Sequence, residues 1–548
     1  MKQHCVSLKI SVCILLALAL LCLVSFALAD GTCGANLTWT FSGSVLTISG
    51  TGAMDNWLLS NPWKDYNKEI TGVVIEEGVT SIGDYAFYMC ETLDKITIPG
   101  TVTKIGNHAF SWCYELSDIR LPNSLAEIGN SAFELCSGIA TLTIPDGVTI
   151  IGDYAFSQCG GLTSLVLHEG LTSIGTNAFY SCGKLDRITI PASVTFIGDT
   201  PFLYCTSLRE IAVNEGSASY ASIDGVLYSR DHTRLIAYPG NRQTPTYSIA
   251  DGVTTIGNSA FRPNQHLTSI TIPPSVQVIE NDAFNRCNKL QKLEIPQGVT
   301  GIGDTAFVGC SALQSISFPS TLQSIGTNLF EACGKLTSID VAEGNGMFAS
   351  QDGVLFTADR TCLIAYPAGR KQVTYTVPEG VTTIGEYAFF CNRILKSVAL
   401  PESLITIEKN AFSGSDITGV QLPSHLAVIE YGAFGSCDNL AQVTIPASVL
   451  LLGDGAFNGC DSLVSVTIEG AETSLSKWGV FDYCHKNLVI NGLPGSTAEI
   501  HANGKGIPFA PIAVDEMKTE DSWTCSRCNT TNTGGKFCPE CGQARARP

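Results

Sequence analysis

At 548 residues the chain is longer than one ordinary globular core, so several domains or an extended array is expected. Its composition, 45% hydrophobic and 15% charged, excludes a largely disordered protein. A net charge of −18 argues against nucleic acid and anionic membrane as partners, and the basic tail with Arg545 and Arg547 reads as a solvated terminus.

Residues 1–29 have the pattern of a secretory signal peptide. Lys2 and Lys9 start it, Ile10 to Leu28 is apolar, and Ala27-Leu28-Ala29 is a small-x-small box before Asp30. The alternative is an uncleaved membrane anchor, the one route by which the chain would touch a membrane. Either way the remainder is expected outside the cytoplasmic membrane, secreted or at the cell surface.

Residues 30–72 read as an N-terminal β cap. Leu37-Thr38-Trp39-Thr40-Phe41 and Val45-Leu46-Thr47-Ile48 alternate across Ser42-Gly43-Ser44, a hairpin that would cover the open strand edge of whatever follows. Trp57 and Trp63 read as packing residues of this cap rather than as a carbohydrate site.

Residues 73–490 carry a repeat of 23 residues, first seen as Ile82-Gly83-Asp84-Tyr85-Ala86-Phe87-Tyr88-Met89-Cys90 followed by Leu93, Ile96, Ile98 and Pro99. A fixed period of this length marks a solenoid, whose coils bury their apolar edges only by stacking. Fifteen units run from Phe87 to a degenerate copy at Phe481. In each, a short strand such as Ile188-Thr189-Ile190 points its isoleucines inward, and Pro191 ends it. Gly198 is expected to permit a bend that a side chain would resist. At about 4.8 Å per strand, such a stack would extend on the order of 70 Å. Its outward row, with Thr97, Arg120, Thr143, Val166, Thr189, Thr271, Glu294, Ser317, Thr444 and Thr467, is mild and poor in aromatic residues, which disfavours stacking on sugars.

The spacing breaks twice, over about residues 214–250 and 342–378. The inserts resemble each other, with Asp224-Gly225-Val226-Leu227-Tyr228 matching Asp352-Gly353-Val354-Leu355-Phe356. Each is expected to be one β-hairpin, turning at Arg230-Asp231-His232-Thr233 and at Ala358-Asp359-Arg360-Thr361. They are a repeated structural module, with ligand recognition as the sharper alternative.

Residues 491–512 read as a C-terminal cap. Ser496 and Glu499 form a capping box for a helix ending near Asn503 before Gly504, and Ile507 to Ile512 supply a last strand. Residues 513–522 read as a linker.

Of the 22 cysteines, twelve stand three residues after the repeat phenylalanine, where Asn264, Asn392 and Ser415 stand in other units. A position accepting Cys, Asn or Ser is expected to hydrogen-bond the turn of an adjacent coil, with the thiols buried and free rather than paired. Cys33, Cys362 and Cys391 fall outside this ladder. The cysteines of residues 523–548 differ. Cys525-Ser526-Arg527-Cys528 and Cys538-Pro539-Glu540-Cys541 are two Cys-x-x-Cys hooks, and four thiolates in tetrahedral array suit a structural Zn²⁺ with no open position for substrate. Two disulfides or a redox pair are the alternatives.

The repeat resembles the BspA-like leucine-rich repeat family (the LRR_5 type) of bacterial and some protist surface proteins. The resemblance implies a right-handed leucine-rich solenoid, exposed or secreted, with roles in adhesion or in binding host proteins. The tail, Trp523-Thr524-Cys525 to Phe537-Cys538-Pro539-Glu540-Cys541-Gly542, resembles a zinc ribbon. The leading expectation is an exported, non-catalytic protein that binds extracellular or host proteins. The alternative is a structural spacer or self-assembling surface component with the ribbon as a docking module. An enzyme is disfavoured: the eight histidines lack triad or ligand spacing, and the carboxylates after Ile-Gly (Asp84, Asp153, Asp199, Asp304, Asp454) follow the repeat.

Overall fold

The computed structural model describes residues 29–58 and 60–512, and the backbone of 522–524 and 531–533. The chain divides into two compact units, one running to Leu313 and including Thr321–Phe330, the other comprising Gln314–Ser320 and the chain from Glu331 onward. Each is a β-solenoid of stacked coils.

In the first unit a coil holds two short strands. Lys95–Thr97 pairs in parallel with Gly72–Ile75 before it and Asp118–Ile119 after it, so that Val73, Ile96 and Ile119 align. The second strand of the coil, Lys104–Ile105, pairs in parallel with Val79–Ile82 and Glu127–Ile128. Inward residues are buried, as Ile188 and Ile190 show at 2% and 0% exposure, while Thr189 faces solvent.

A third ladder follows each Ile-Gly, and the sequence pattern does not announce it. The N–H groups of Tyr85, Phe87 and Met89 donate to the carbonyls of Asn107, Ala109 and Ser111 in the next coil, at 2.7–2.9 Å. In an ordinary strand the intervening N–H groups would reach the coil on the other side. Here they turn back into their own coil, Ala86 donating to Gly83 O, Tyr88 to Tyr85 O and Cys90 to Phe87 O at 3.2–3.3 Å, and Tyr85 and Met89 adopt left-handed conformations, φ 57° and 60°. His108 and Trp112 repeat the pair (φ 52° and 68°), as do Ser131 and Leu135 (φ 51° and 63°). A side chain in that region is disfavoured by roughly 1–2 kcal/mol, which the ladder must offset.

The glycine of Ile-Gly serves closeness rather than the expected bend. Gly198 is not among the left-handed glycines, and a Cβ on it would lie 2.4 Å from the backbone nitrogen of Thr176. A Cβ on Gly175 would lie 2.5 Å from that of Asp153.

The repeat phenylalanines form a column of parallel rings. Phe133 and Phe156 lie 5.3 Å apart at 5°, and Phe156 and Phe179 lie 5.8 Å apart at 9°, all with zero exposure. The column begins before the repeat is legible. Trp63 is wholly buried, stacks on Phe87 at 5.6 Å and donates its Nε1–H to the carbonyl of Ala86. The two strands expected at the N-terminus pair in full register from Leu37↔Gly50 to Ser42↔Val45, and Ala29–Gly34 adds a further antiparallel strand against Leu37–Ser42.

The inserts differ from the expected single hairpin. Tyr220–Ile223, Val226–Ser229 and Arg234–Ala237 form an antiparallel meander, turning at Asp224-Gly225 (φ 51° and 75°) as well as at residues 230–233. Its third strand then pairs in parallel with Thr255–Ile256, and Tyr238 stacks on Phe261 at 5.1 Å. Part of the insert is therefore a coil in which tyrosine replaces phenylalanine. In the second unit Phe348–Gln351, Val354–Thr357 and Cys362–Ala365 repeat the arrangement, and Tyr366 stacks on Phe389 at 5.2 Å.

At the C-terminal end the helix Thr497–Lys505 runs past the expected stop, to Gly506 at φ 69°. Ser496 Oγ accepts the N–H of Glu499, and the Glu499 carboxylate accepts the N–H of Gly495 rather than that of Ser496. Phe509–Pro511 pairs in parallel with Val489–Gly492.

Candidate functional site: the outward faces of the coils

Periodic cysteines and carboxylates are the residues that most invite a chemical reading, and both serve the stack. Cys136 Sγ donates to the carbonyl of Phe110 at 3.1 Å and Cys159 to that of Phe133 at 3.0 Å, each one coil back. Cys136, Cys159, Cys287 and Cys437 are free thiols. Burial pushes the thiols of Cys159, Cys287 and Cys437 up to about 12, which removes thiolate chemistry near neutral pH. Asn264 and Asn392 depart from the expected bond to a neighbouring coil. Their Oδ1 atoms cap their own turns, at His266 and Leu267 and at Ile394 and Leu395. Both follow the inserted coils, where Tyr238-Pro239 and Tyr366-Pro367 replace the usual phenylalanine turn.

The carboxylates after Ile-Gly are held likewise. Asp84 Oδ1 accepts the N–H of Asn107 at 2.7 Å, and Asp153 Oδ1 accepts that of Thr176 at 2.7 Å. Asn107 and Asn130 do the same in intervening coils, so the position needs a side-chain oxygen rather than a charge.

The inserts are bound inward. Gly225 O accepts the N–H of Ile211 at 2.8 Å, and Tyr228, fully buried, shares a 2.6 Å hydrogen bond with the Tyr247 hydroxyl.

The outward row of the strands is also open to contact in both units. In the first it carries charge, including Lys95, Asp118 and Arg187, which pairs with Glu210 at 3.3 Å. In the second, Ser338–Val341 carries the exposed Asp340, but the strands Ser397–Ala399, Gly419–Gln421, Gln442–Ile445 and Ser465–Ile468 contain no charged residue. There Gln421, Gln442, Thr444 and Thr467 line a groove of about 650 Å³, together with Glu402 and Glu469. Gly419 leaves an opening in the row, since a Cβ there would meet nothing within 4 Å. The Ser424 hydroxyl and N–H hold the Glu402 carboxyl below its ordinary range. A neutral row of amides and hydroxyls can hydrogen-bond a partner's backbone without stripping water from a charge.

The four cysteines of the expected metal site, Cys525, Cys528, Cys538 and Cys541, lie outside the described residues. Of that segment only two strands are described, Ser522–Thr524 and Thr531–Thr533, which pair antiparallel with Trp523 opposite Asn532. Among the described residues no group of three His, Cys, Asp or Glu is placed to hold a metal ion, and no helix is long and apolar enough to cross a membrane.

The family described as "BspA type Leucine rich repeat region (6 copies)" matches residues 65–145, 136–224, 237–351 and 368–487, and the chain belongs to it. Among solved structures, a leucine-rich repeat protein from Eubacterium ventriosum is similar at 24% identity and a TM-score of 0.45, covering 80% of this chain and 96% of that one. A leucine rich cell surface protein from Faecalibacterium prausnitzii is similar at 21% identity and a TM-score of 0.37, covering 86% and 97%. The pneumococcal vaccine antigen PcpA is similar at 16% identity and a TM-score of 0.34, covering 89% and 99%. No curated protein matches the chain.

Proposed function

We propose that the chain is an exported, non-catalytic binding protein that holds a protein partner along the outward row of its strands. The observation that carries this reading is the groove of the second unit, about 650 Å³ over strands that hold no charged residue, with the carboxylates Glu402 and Glu469 in its lining. Thr418 and Ser465 of its lining bond within the stack, whereas Gln421, Gln442, Thr444 and Thr467 make no side-chain hydrogen bond among the described residues, unlike the periodic cysteines and the Asp84 and Asp153 carboxylates. Export is supported by the leader pattern of residues 1–29, and the family is one of surface repeat proteins. The tail is read as a structural Zn²⁺ site on Cys525, Cys528, Cys538 and Cys541. A Cys-x-x-Cys hook directly follows Thr524 and lies between two paired strands, which suits a ribbon.

The test is capture of extracellular proteins by the immobilised full chain, beside a variant that fills the groove, Thr444→Trp. Thr444 is exposed, so the variant should keep its melting temperature and lose the captured partner. Equal capture by both would refute the groove. Polymerisation of the purified chain, with no partner captured, would favour a self-assembling spacer instead.

A further inference from the structure

The turn that carries Tyr85 to Cys90, and its copies in the next two coils, presents a surface the stack does not need. The residue before each ladder cysteine is left-handed. Gly309, Gly414 and Gly459 occupy this place in other coils, as do Ser181 and Ser436. The fold is therefore satisfied without a large side chain there. Yet the first coils place Met89 and Trp112 at it, 37% and 36% exposed, accepting a backbone strain that glycine would relieve.

Aromatic rings gather around them. Tyr85 stacks on His108 at 4.6 Å and meets Tyr88 edge-on at 5.4 Å, and Trp112 lies 6.0 Å from Tyr114. One carboxylate sits among them. Glu134 is 22% exposed in its side chain, accepts a hydrogen bond from Ser111 Oγ at 3.5 Å, and approaches His108 Nδ1 to 4.0 Å. Burial, then Tyr85, then Glu134 push the Tyr88 phenol upward. Among the described residues no lysine or arginine reaches ion-pair distance of Glu134, whose polar neighbours include Ser111 and His108.

The same unit shows what such a position accepts. Tyr204 stands before Cys205 as Trp112 stands before Cys113, also left-handed at φ 63°. Two guanidinium groups cover its ring, Arg262 at 5.6 Å and Arg286 at 5.9 Å, and Arg262 donates to its hydroxyl at 3.1 Å. A cation over an aromatic face is attracted by the ring quadrupole, and a nearby carboxylate adds charge complementarity.

We propose that Tyr85, Tyr88, Met89, Trp112 and Tyr114, with Glu134 among them, form a docking surface for an arginine side chain of a basic segment in a partner protein. The surface is separate from the strand groove. It rests on the wider reading of a binding protein, not on that groove.

The experiment is calorimetric titration of the full chain with a nona-arginine peptide at 0.15 M salt, beside the variants Trp112→Gly and Glu134→Gln. Each should raise the dissociation constant about five- to thirty-fold, in line with a desolvated cation–π contact or a charge-assisted hydrogen bond. Trp112→Gly should also keep or raise the melting temperature, because glycine suits the left-handed position. Unchanged affinity in both variants would mean that the peptide senses only the net negative charge, and would overturn the site. That outcome would leave the groove reading standing, since Thr444→Trp probes a different unit.

Discussion

Truncating one ring of the phenylalanine column, Phe156→Ala, should damage the solenoid locally rather than globally. Phe156 has zero exposure and contacts rings on both sides, Phe133 at 5.3 Å and Phe179 at 5.8 Å. Removing a fully buried phenylalanine costs about 3–5 kcal/mol, because neighbours fixed by their own ladders collapse only partly into the cavity. A stack of coils is held by nearest-neighbour interfaces, so a single unfolding free energy describes it poorly. Amide hydrogen exchange is the suitable assay. The N–H of Phe133 donates to Ala155 O and that of Phe179 to Pro201 O, bonds that report on the coils flanking the lesion. Where exchange proceeds by local opening, their protection should fall by roughly 10²- to 5 × 10³-fold, as 3–5 kcal/mol implies. The bond from Phe284 to Ala306 O, several coils away, should change far less. Equal loss at all three sites, or none at the flanking pair, would refute the account of the column as a chain of independent neighbour contacts.

Three further outcomes follow from the same geometry. Gly175→Ala puts a Cβ 2.5 Å from backbone atoms of the preceding coil and should destabilise by about 1–3 kcal/mol, read from a denaturant midpoint. The buried thiols predict alkaline weakening. Cys159, Cys287 and Cys437 are raised to about 12 in the fold, so their contribution is fully present below the ordinary thiol range and is lost as pH climbs from about 9 towards 12. Each should remove ~1.4 kcal/mol per pH unit in that window, and a midpoint equal at pH 8 and pH 10 under reductant would contradict it. Purified protein should carry one zinc by elemental analysis, lost on Cys538→Ser, whereas detection of two tail disulfides with no metal would exclude the zinc site.

Much of the stack is legible from residues because stacking requires the same chemistry in every coil. A period of 23 places Ile96 on Ile119 and Phe133 on Phe156, and no other register buries both. What escapes is whatever breaks residue identity while keeping geometry. Tyr238 and Tyr366 take the ring position in coils whose Ala-Phe is written Ala-Tyr-Pro, so their strands look like arms of a hairpin. Trp63 escapes in the same way, since a tryptophan outside the period stacks on Phe87 as a phenylalanine would. The Asp-Gly pairs at 224 and 352 are strong turn signals hidden by reading through them as strand. The groove is less legible still, because a row of threonines and glutamines is equally what parallel strands prefer on a solvated face.

The left-handed positions separate what the fold needs from what the surface adds. The turn sends alternate N–H groups to the next coil and closes the intervening ones on its own carbonyls, and it holds φ near +60° twice in the coil, at Tyr85 and Met89 as at His108 and Trp112. Glycine fits at the least strain, and the chain uses it at Gly309, Gly414 and Gly459. Bulky residues at the same place run against the local preference, so the strain they carry has no counterpart in the ladder. In Tyr204 the counterpart is visible, since Arg262 and Arg286 cover the ring from within the same unit. In Trp112 and Met89 it is not, and exposed apolar area held in a strained backbone is more economically explained by a contact made in a complex than by any contact in the coil itself.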